Sequence, residues 1–260
     1  MALPGYPLLD DVVYGPFESR RLGASLGVNI LPVGVKVCAF NCNYCQCGWT
    51  SELTDDATLG KWKWPTAREV GEGLARRLKE LAAAGTKIDA ITIAGNGEPT
   101  LHPEFPSVVE EILGARDRAG KGVPVHILSN GANLAAYGVA ESLNLLDERH
   151  IKLDAGSEAM FLDMNSPTTD IGIWDVMRGV RGLTDCVVQA MFTQGRRDNS
   201  IPAEVDMWIE AVKKIKPKRV DVYSLAREPA DPQITSVPNE RLQEIARLCE
   251  KQTGVPTTAY

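Results

Sequence analysis

Apolar positions along the chain recur with two alternating periods. Six short runs rich in β-branched residues, VGVKV (33–37), DAITIA (89–94), VPVHIL (123–128), HIKLDA (150–155), CVVQAMF (186–192) and RVDVYSL (219–225), are each bounded by turn residues and predict strands. Helical spacing fills the intervals. Thr66 and Glu69 predict a capping box ahead of a helix that carries Val70, Leu74, Leu78 and Leu81 and stops near Gly85. Ser107 and Glu110 give the same signal ahead of Ile112 and Leu113, and Leu242, Ile245, Ala246 and Cys249 mark one face of a last helix. Strand and helix in alternation predict an α/β fold of parallel strands joined by right-handed crossovers.

Residue parity decides how the sheet is shaped. Ile91 and Ile93, Val125 and Ile127, Ile151 and Leu153, Val188 and Ala190, and Val220 and Val222 share faces suited to lie under helices. The opposite faces carry Thr92, His126, Lys152 with Asp154, Gln189, and Asp221 with Tyr223. A flat sheet covered on both sides does not tolerate a polar stripe on strand after strand, whereas a barrel with a polar lumen does. Six units are fewer than the eight of a closed barrel. The expectation is therefore a partial (βα)6 TIM-like barrel with its site at the C-terminal strand ends. No linker or repeat divides the 260 residues, so we expect one domain: an N-terminal extension (1–32), a barrel core (33–225), and a C-terminal helix and tail (226–260).

Composition narrows the function classes. A net charge of -6 gives no global attraction to phosphate backbones, which leaves nucleic acid unsupported but not excluded. No apolar run reaches the roughly 18 residues of a membrane span, and the opening MALPGYPLLD lacks a basic secretory start, so a cytoplasmic chain without membrane partners is expected. Four of the six cysteines, Cys38, Cys42, Cys45 and Cys47, crowd into ten residues, a pattern of metal binding and not of disulfides. Three thiolates on one loop can hold three irons of a cubane and leave the fourth free for a small molecule. Zinc is the alternative, although structural zinc takes ligand pairs from separate segments, and Cys186 and Cys249 stand alone as core residues. Cys47, one residue beyond Cys45, reads as a bystander.

The spacing of KVCAFNCNYCQCG, with Tyr44 before the third cysteine, resembles the radical S-adenosylmethionine (SAM) superfamily. The segments GPFESRRLGASLGVNILP (15–32) and GNGEPTLHP (95–103) further resemble a subgroup of iron-sulfur oxidoreductases related to the wybutosine tRNA-modifying enzymes. The resemblance implies a [4Fe-4S] cluster on Cys38, Cys42 and Cys45 and SAM chelated to the open iron. It implies reductive cleavage of SAM to a 5'-deoxyadenosyl radical that abstracts hydrogen from a substrate, with a one-electron donor of flavodoxin or ferredoxin type. Tyr44, Asn96, Gly97, Glu98, Ser129, Asn130, Gln189 and Tyr223 become candidate cofactor contacts, with Glu98 accepting from the methionine ammonium and Asn96 replacing the family's first glycine. Lys152 and Asp154 are the candidate catalytic pair, aimed at substrate or at each other. Lys152 could also form an imine with a carbonyl. Arg20 and Arg21 could meet an anionic substrate, and Arg227 the cofactor or the substrate. His102 and His126 receive no metal role, and Trp62 and Trp64 read as a hydrophobic anchor for their loop. Substrates considered are a tRNA base, a glycyl-radical enzyme and a small molecule. Outside enzymology, an iron-sulfur electron carrier or a zinc-binding module would need full thiolate coordination.

Overall fold

The computed structural model describes residues 5–120, 122–168 and 170–260. Its strands are β1 (Val13–Ser19), β2 (Gly23–Val28), β3 (Val37–Cys38), β4 (Glu52–Leu53), β5 (Ala90–Ile93), β6 (Val125–Ser129), β7 (Glu148–Lys152), β8 (Cys186–Gly195), β9 (Arg219–Ser224), β10 (Ile234–Ser236) and β11 (Thr257–Ala259). The helices are α1 (Ala67–Ala83), α2 (Phe105–Arg118), α3 (Val139–Asn144), α4 (Glu158–Asn165), α5 (Ile173–Val180), α6 (Pro202–Ile215) and α7 (Asn239–Thr253). One sheet runs β1-β2-β5-β6-β7-β8-β9-β11, with β10 joined to β8. Every pairing from β2 to β11 along this order is parallel, and β1 is antiparallel at its end. The order begins at β1 and ends at β11, so the barrel is partial, as the six expected units require.

The two faces of the sheet divide as residue parity predicts. Ile91, Ile93, Val125, Ile127, Ile151, Val188, Ala190, Val220 and Val222 are fully buried in one core with the helices, while Thr92, His126, Asp154, Gln189 and Asp221 are buried polar groups on the other face. Capping by Thr66 and Glu69 is reciprocal: the Thr66 hydroxyl accepts from the Glu69 N–H, and the Glu69 carboxylate accepts from the Thr66 N–H. Two local expectations are corrected. Helix α2 starts at Phe105, placing Ser107 inside it, because Pro106 supplies a preset φ in the first turn and moves the start upstream. The run 33–37 is extended only at Val37, where β3 pairs with β4 and not with the large sheet. Pro32 has no N–H, and Gly34 turns the chain at φ +71°. The first parallel strand is instead β2, whose glycine- and alanine-containing GASLGV carries little β signal. The tail also joins the sheet, as β11 pairs with β9.

Candidate active site

The cysteine loop emerges from β3 over the C-terminal ends of the barrel strands. Backbone bonds bind it there: Val37 N–H donates to Asn96 O at 2.9 Å, and Asn43 N–H to Met164 O at 3.0 Å. Gly97 lies against β3 so tightly, at φ +132°, that a Cβ there would sit 1.7 Å from Val37 O. Glycine is therefore a geometric requirement, and the loop after β5 fixes the first cysteine.

Burial pushes the Cys38 thiol up and raises Cys42 to about 11, with neighbouring thiols adding to both. Cys45 moves the other way, to about 5, because its sulfur accepts the Cys47 S–H and lies beside Lys36. The fold thus aims one buried cation at the loop. Burial works against the Lys36 charge, but Cys45, Cys38 and Cys42 outweigh it, and its ammonium also donates to Gly48 O at 2.6 Å. Asn130 Nδ2 reaches Cys38 Sγ at 3.6 Å, and Asn165 Nδ2 reaches Cys42 Sγ at 3.4 Å. Sequence reading missed Lys36 and Asn165. The first adjoins the motif and was legible as a cation two residues before a thiol. Asn165 ends α4 and has no local signal.

The candidate contacts divide into three groups. Glu98, 2% exposed, accepts from Thr100 N–H and hydroxyl (3.0 and 2.6 Å), Ser129 hydroxyl (2.7 Å) and Asn130 N–H (2.7 Å), so it ties the loop after β5 to the end of β6. Burial nevertheless raises its pKa. The Asn96 amide is turned toward the N-terminal segment, accepting from Leu9 N–H and donating to Leu9 O and Pro32 O, while its backbone N–H donates to Asn29 Oδ1 at 3.1 Å and its carbonyl accepts from Val37. Tyr44, Asp154, Lys152 and Tyr223 form the second group: Tyr44 donates to Asp154 Oδ2 at 2.5 Å, and Lys152 Nζ lies 2.7 Å from Asp154 Oδ1 and 2.8 Å from Tyr223 Oη. Asp154 also accepts from Met191 N–H at 2.7 Å and Asn165 at 3.3 Å. Arg21 stacks its guanidinium 4.1 Å from the Tyr223 ring centre. Gln189 stands apart, at the fourth of ten positions in β8 instead of the strand end, bonded to His150 at 3.1 Å. Arg227 lies over the Tyr6 ring. His102 holds Pro65 O and the Glu104 N–H, with Trp64 packed on its edge and Trp62 against Trp64, which fits the anchoring reading.

The family model described as the radical SAM superfamily matches residues 33–226. The chain belongs to that superfamily. A UPF0026 protein of Synechocystis sp. is 34% identical over 171 residues, covering 65% of this chain. The chain spans only part of its curated relatives, 58% of that protein and 34% of a longer one. Among solved structures, a radical SAM methyltransferase from Sphaerobacter thermophilus superposes with a TM-score of 0.66 at 17% identity, over 91% of this chain and 65% of that one. TYW1 with a lysine-pyruvate adduct bound gives 0.63 at 14% identity, over 88% and 74%. These share the fold.

Superfamily enzymes use a [4Fe-4S] cluster and SAM and draw on a one-electron donor. The residues present fit such a group. Three thiols, a buried lysine and two amide donors converge on one loop, and the side-chain nitrogen and oxygen of buried Asn43 and the Oδ1 of Asn165 find no partner among the described residues. Among the described residues no helix is long and apolar enough to cross a membrane.

Proposed function

We propose that the protein abstracts a hydrogen atom from an anionic substrate, one bearing carboxylate or phosphate, seated in the barrel mouth beneath the cysteine loop. In this reading Cys38, Cys42 and Cys45 hold the cluster. Bound there, cluster and SAM supply the electron for carbon-sulfur cleavage and the 5'-deoxyadenosyl radical. Among the described residues Glu98 Oε1 takes three donors and Oε2 one, so Oε2 keeps acceptor capacity for the methionine ammonium. The Gly97 backbone approaches closely because it carries no Cβ. Residues 5–9 lie across the loop, with Tyr6 N–H on Gln46 O and Leu9 on Asn96, and exclude water from the site.

The observation that carries the substrate class is Lys152. Burial works to discharge it, yet Asp154 and Tyr223 outweigh burial and raise its pKa, so a fixed positive charge stands 4.7 Å from the Tyr44 ring centre. Asp154 has four donors on its two oxygens, which makes it the partner that holds Lys152 in place and not a proton acceptor. Arg21 over Tyr223 adds a second cation on the same wall. TYW1 suggests a second reading, a covalent adduct on lysine. That chemistry needs a neutral amine, and the Asp154 contact opposes it.

Electron paramagnetic resonance of the dithionite-reduced protein, with and without SAM, tests the class. A shifted signal together with 5'-deoxyadenosine supports the enzyme; an unshifted signal without product would make it an electron carrier, and zinc without a signal a binding module. A flavodoxin or ferredoxin should replace dithionite. Substrate trials with carboxylic acids, tRNA and a glycyl-radical polypeptide then divide the candidates. Lys152→Met should retain basal SAM cleavage and lose its stimulation by the anionic substrate.

A further inference from the structure

A second polar cluster lies at the other end of the barrel, within the first three residues of its strands. His126 of β6, Glu148 and His150 of β7, and Arg219 and Asp221 of β9 meet at the floor, far from the cysteine loop in the fold. His126 Nδ1 and His150 Nε2 are 3.1 Å apart, and Glu148 Oε2 lies 3.5 Å from the first and 3.3 Å from the second. This is a nearly equilateral triangle of ligand atoms. A tetrahedral ion with zinc-like bonds of about 2.0–2.1 Å spaces its ligands about 3.3–3.4 Å apart, since a tetrahedron's edge is about 1.63 bond lengths. The mean edge of the observed triangle falls in that range.

The group behind the triangle supplies an independent observation. Asp221 is fully buried, its Oδ1 accepts from Arg219 at 3.3 Å, and its Oδ2 has no hydrogen-bond partner among the described residues. That oxygen faces His150 Nδ1 at 3.8 Å. Gln189 Nε2 lies closer to the same Nδ1, at 3.1 Å, so a His150 proton on Nε2, toward Glu148, lets the amide donate to Nδ1 but leaves Asp221 Oδ2 bare. With an ion on Nε2, the proton moves to Nδ1 and faces Asp221 and the Gln189 amide, turned to present its oxygen, acceptors of the kind that fix the tautomer and ring orientation of a ligating histidine in metal sites.

We propose that His126, His150 and Glu148 bind a divalent transition-metal ion of the zinc class, with Asp221 as the positioning residue behind His150. Arg219 grips Glu148 through both carboxylate oxygens at 2.6 and 2.9 Å and orients the ligand oxygen. Three protein ligands leave the fourth tetrahedral position for water. Solvent reaches it on the Glu148 side, where that side chain is 18% exposed. The ion joins β6 and β7 directly and β9 through Asp221, and is independent of the iron-sulfur cluster.

Zinc analysis of the full chain, and of a Cys38→Ala/Cys42→Ala/Cys45→Ala variant that removes the thiolates, tests the site. One equivalent of zinc should survive in the cysteine variant and disappear in His126→Gln. Asp221→Asn should weaken zinc by about 10–100-fold. Cobalt(II) titration of the wild type, which needs no variant to fold, should give the visible bands of a tetrahedral nitrogen and oxygen site without thiolate charge transfer. Zinc lost with the cysteines and kept in His126→Gln would overturn the proposal. So would a wild type that takes up neither zinc nor cobalt.

Discussion

Three buried carboxylates, two at the mouth of the barrel and one at its floor, are treated very differently. Glu98 and Asp154 are each 2% exposed, and each accepts from four donors. Asp221 is completely buried and accepts one long contact from Arg219. A buried carboxylate is expensive unless matched: each oxygen of the two mouth carboxylates has a protein donor, whereas one oxygen of the floor carboxylate has none among the described residues. The mouth's carboxylates act on loops: Glu98 clamps the chain after β5 to the end of β6, and Asp154 holds Tyr44, Lys152 and Asn165 together. Unmade bonds at the mouth lie instead on amides, Asn43 and Asn165, next to the cysteines. Each end therefore leaves open the kind of group that its expected occupant would meet.

The sharpest test of the mouth's rigidity is Gly97→Ala. The new Cβ meets backbone, not a movable side chain, and the positive φ adds strain, so we expect a loss of about 4 kcal/mol or more in urea denaturation together with loss of the cluster's absorbance. Next, Glu98→Gln turns an NH2 group toward donors and should lower stability by about 3 kcal/mol. Asp221→Asn, the matching change at the floor, should fall within about 1 kcal/mol of wild type in the metal-free protein, because one of its oxygens has no bond to lose. Equal losses for these two variants would break the contrast. Tyr44→Phe removes the donor to Asp154 and the acceptor for Asn165, and a loss of about 2 kcal/mol is expected from a hydrogen bond to a charged group.

The mouth was largely legible in the sequence because its chemistry is local. Cys38, Cys42, Tyr44 and Cys45 sit on one loop, and parity alone put Lys152 beside Asp154. Partners contributed from a distance were not legible: Asn165 reaches Cys42 and Tyr44 across more than a hundred residues. Strand β2 escaped because glycine and alanine in GASLGV dilute its pattern, while the stronger-looking 33–37 is broken by Pro32 and Gly34. The floor was half visible. His126 and Asp221 were placed on the inner face by parity, but His150 drew no attention inside HIKLDA, and nothing local joins it to Glu148, Arg219 and Asp221. Their convergence is set by the parallel register, in which His126 opposes Glu148 and Gln189 opposes Asp221.

The smallest expected effect isolates the mouth from the floor through pH. His102 donates through Nε2 to Pro65 O at 2.8 Å and accepts the Glu104 N–H on Nδ1 at 3.0 Å, so the Glu104 contact exists only with the neutral ring, whereas the Pro65 carbonyl accepts from either form. Burial depresses its pKa, against opposing pulls from Pro65 and Glu104. The unfolded chain therefore takes up the proton first. The stability that His102 lends is complete above its usual pKa of about 6.5 and drains away as pH falls through the lower folded value. His102→Gln keeps only one of the two bonds and should lose about 1 kcal/mol near pH 7.5. Because the variant has no proton to gain, its deficit against wild type should shrink on going to about pH 5. Chemical denaturation of both proteins at the two pH values measures the change. A deficit that stays constant would mean that acid weakens the molecule elsewhere, and would move attention to the histidines of the floor.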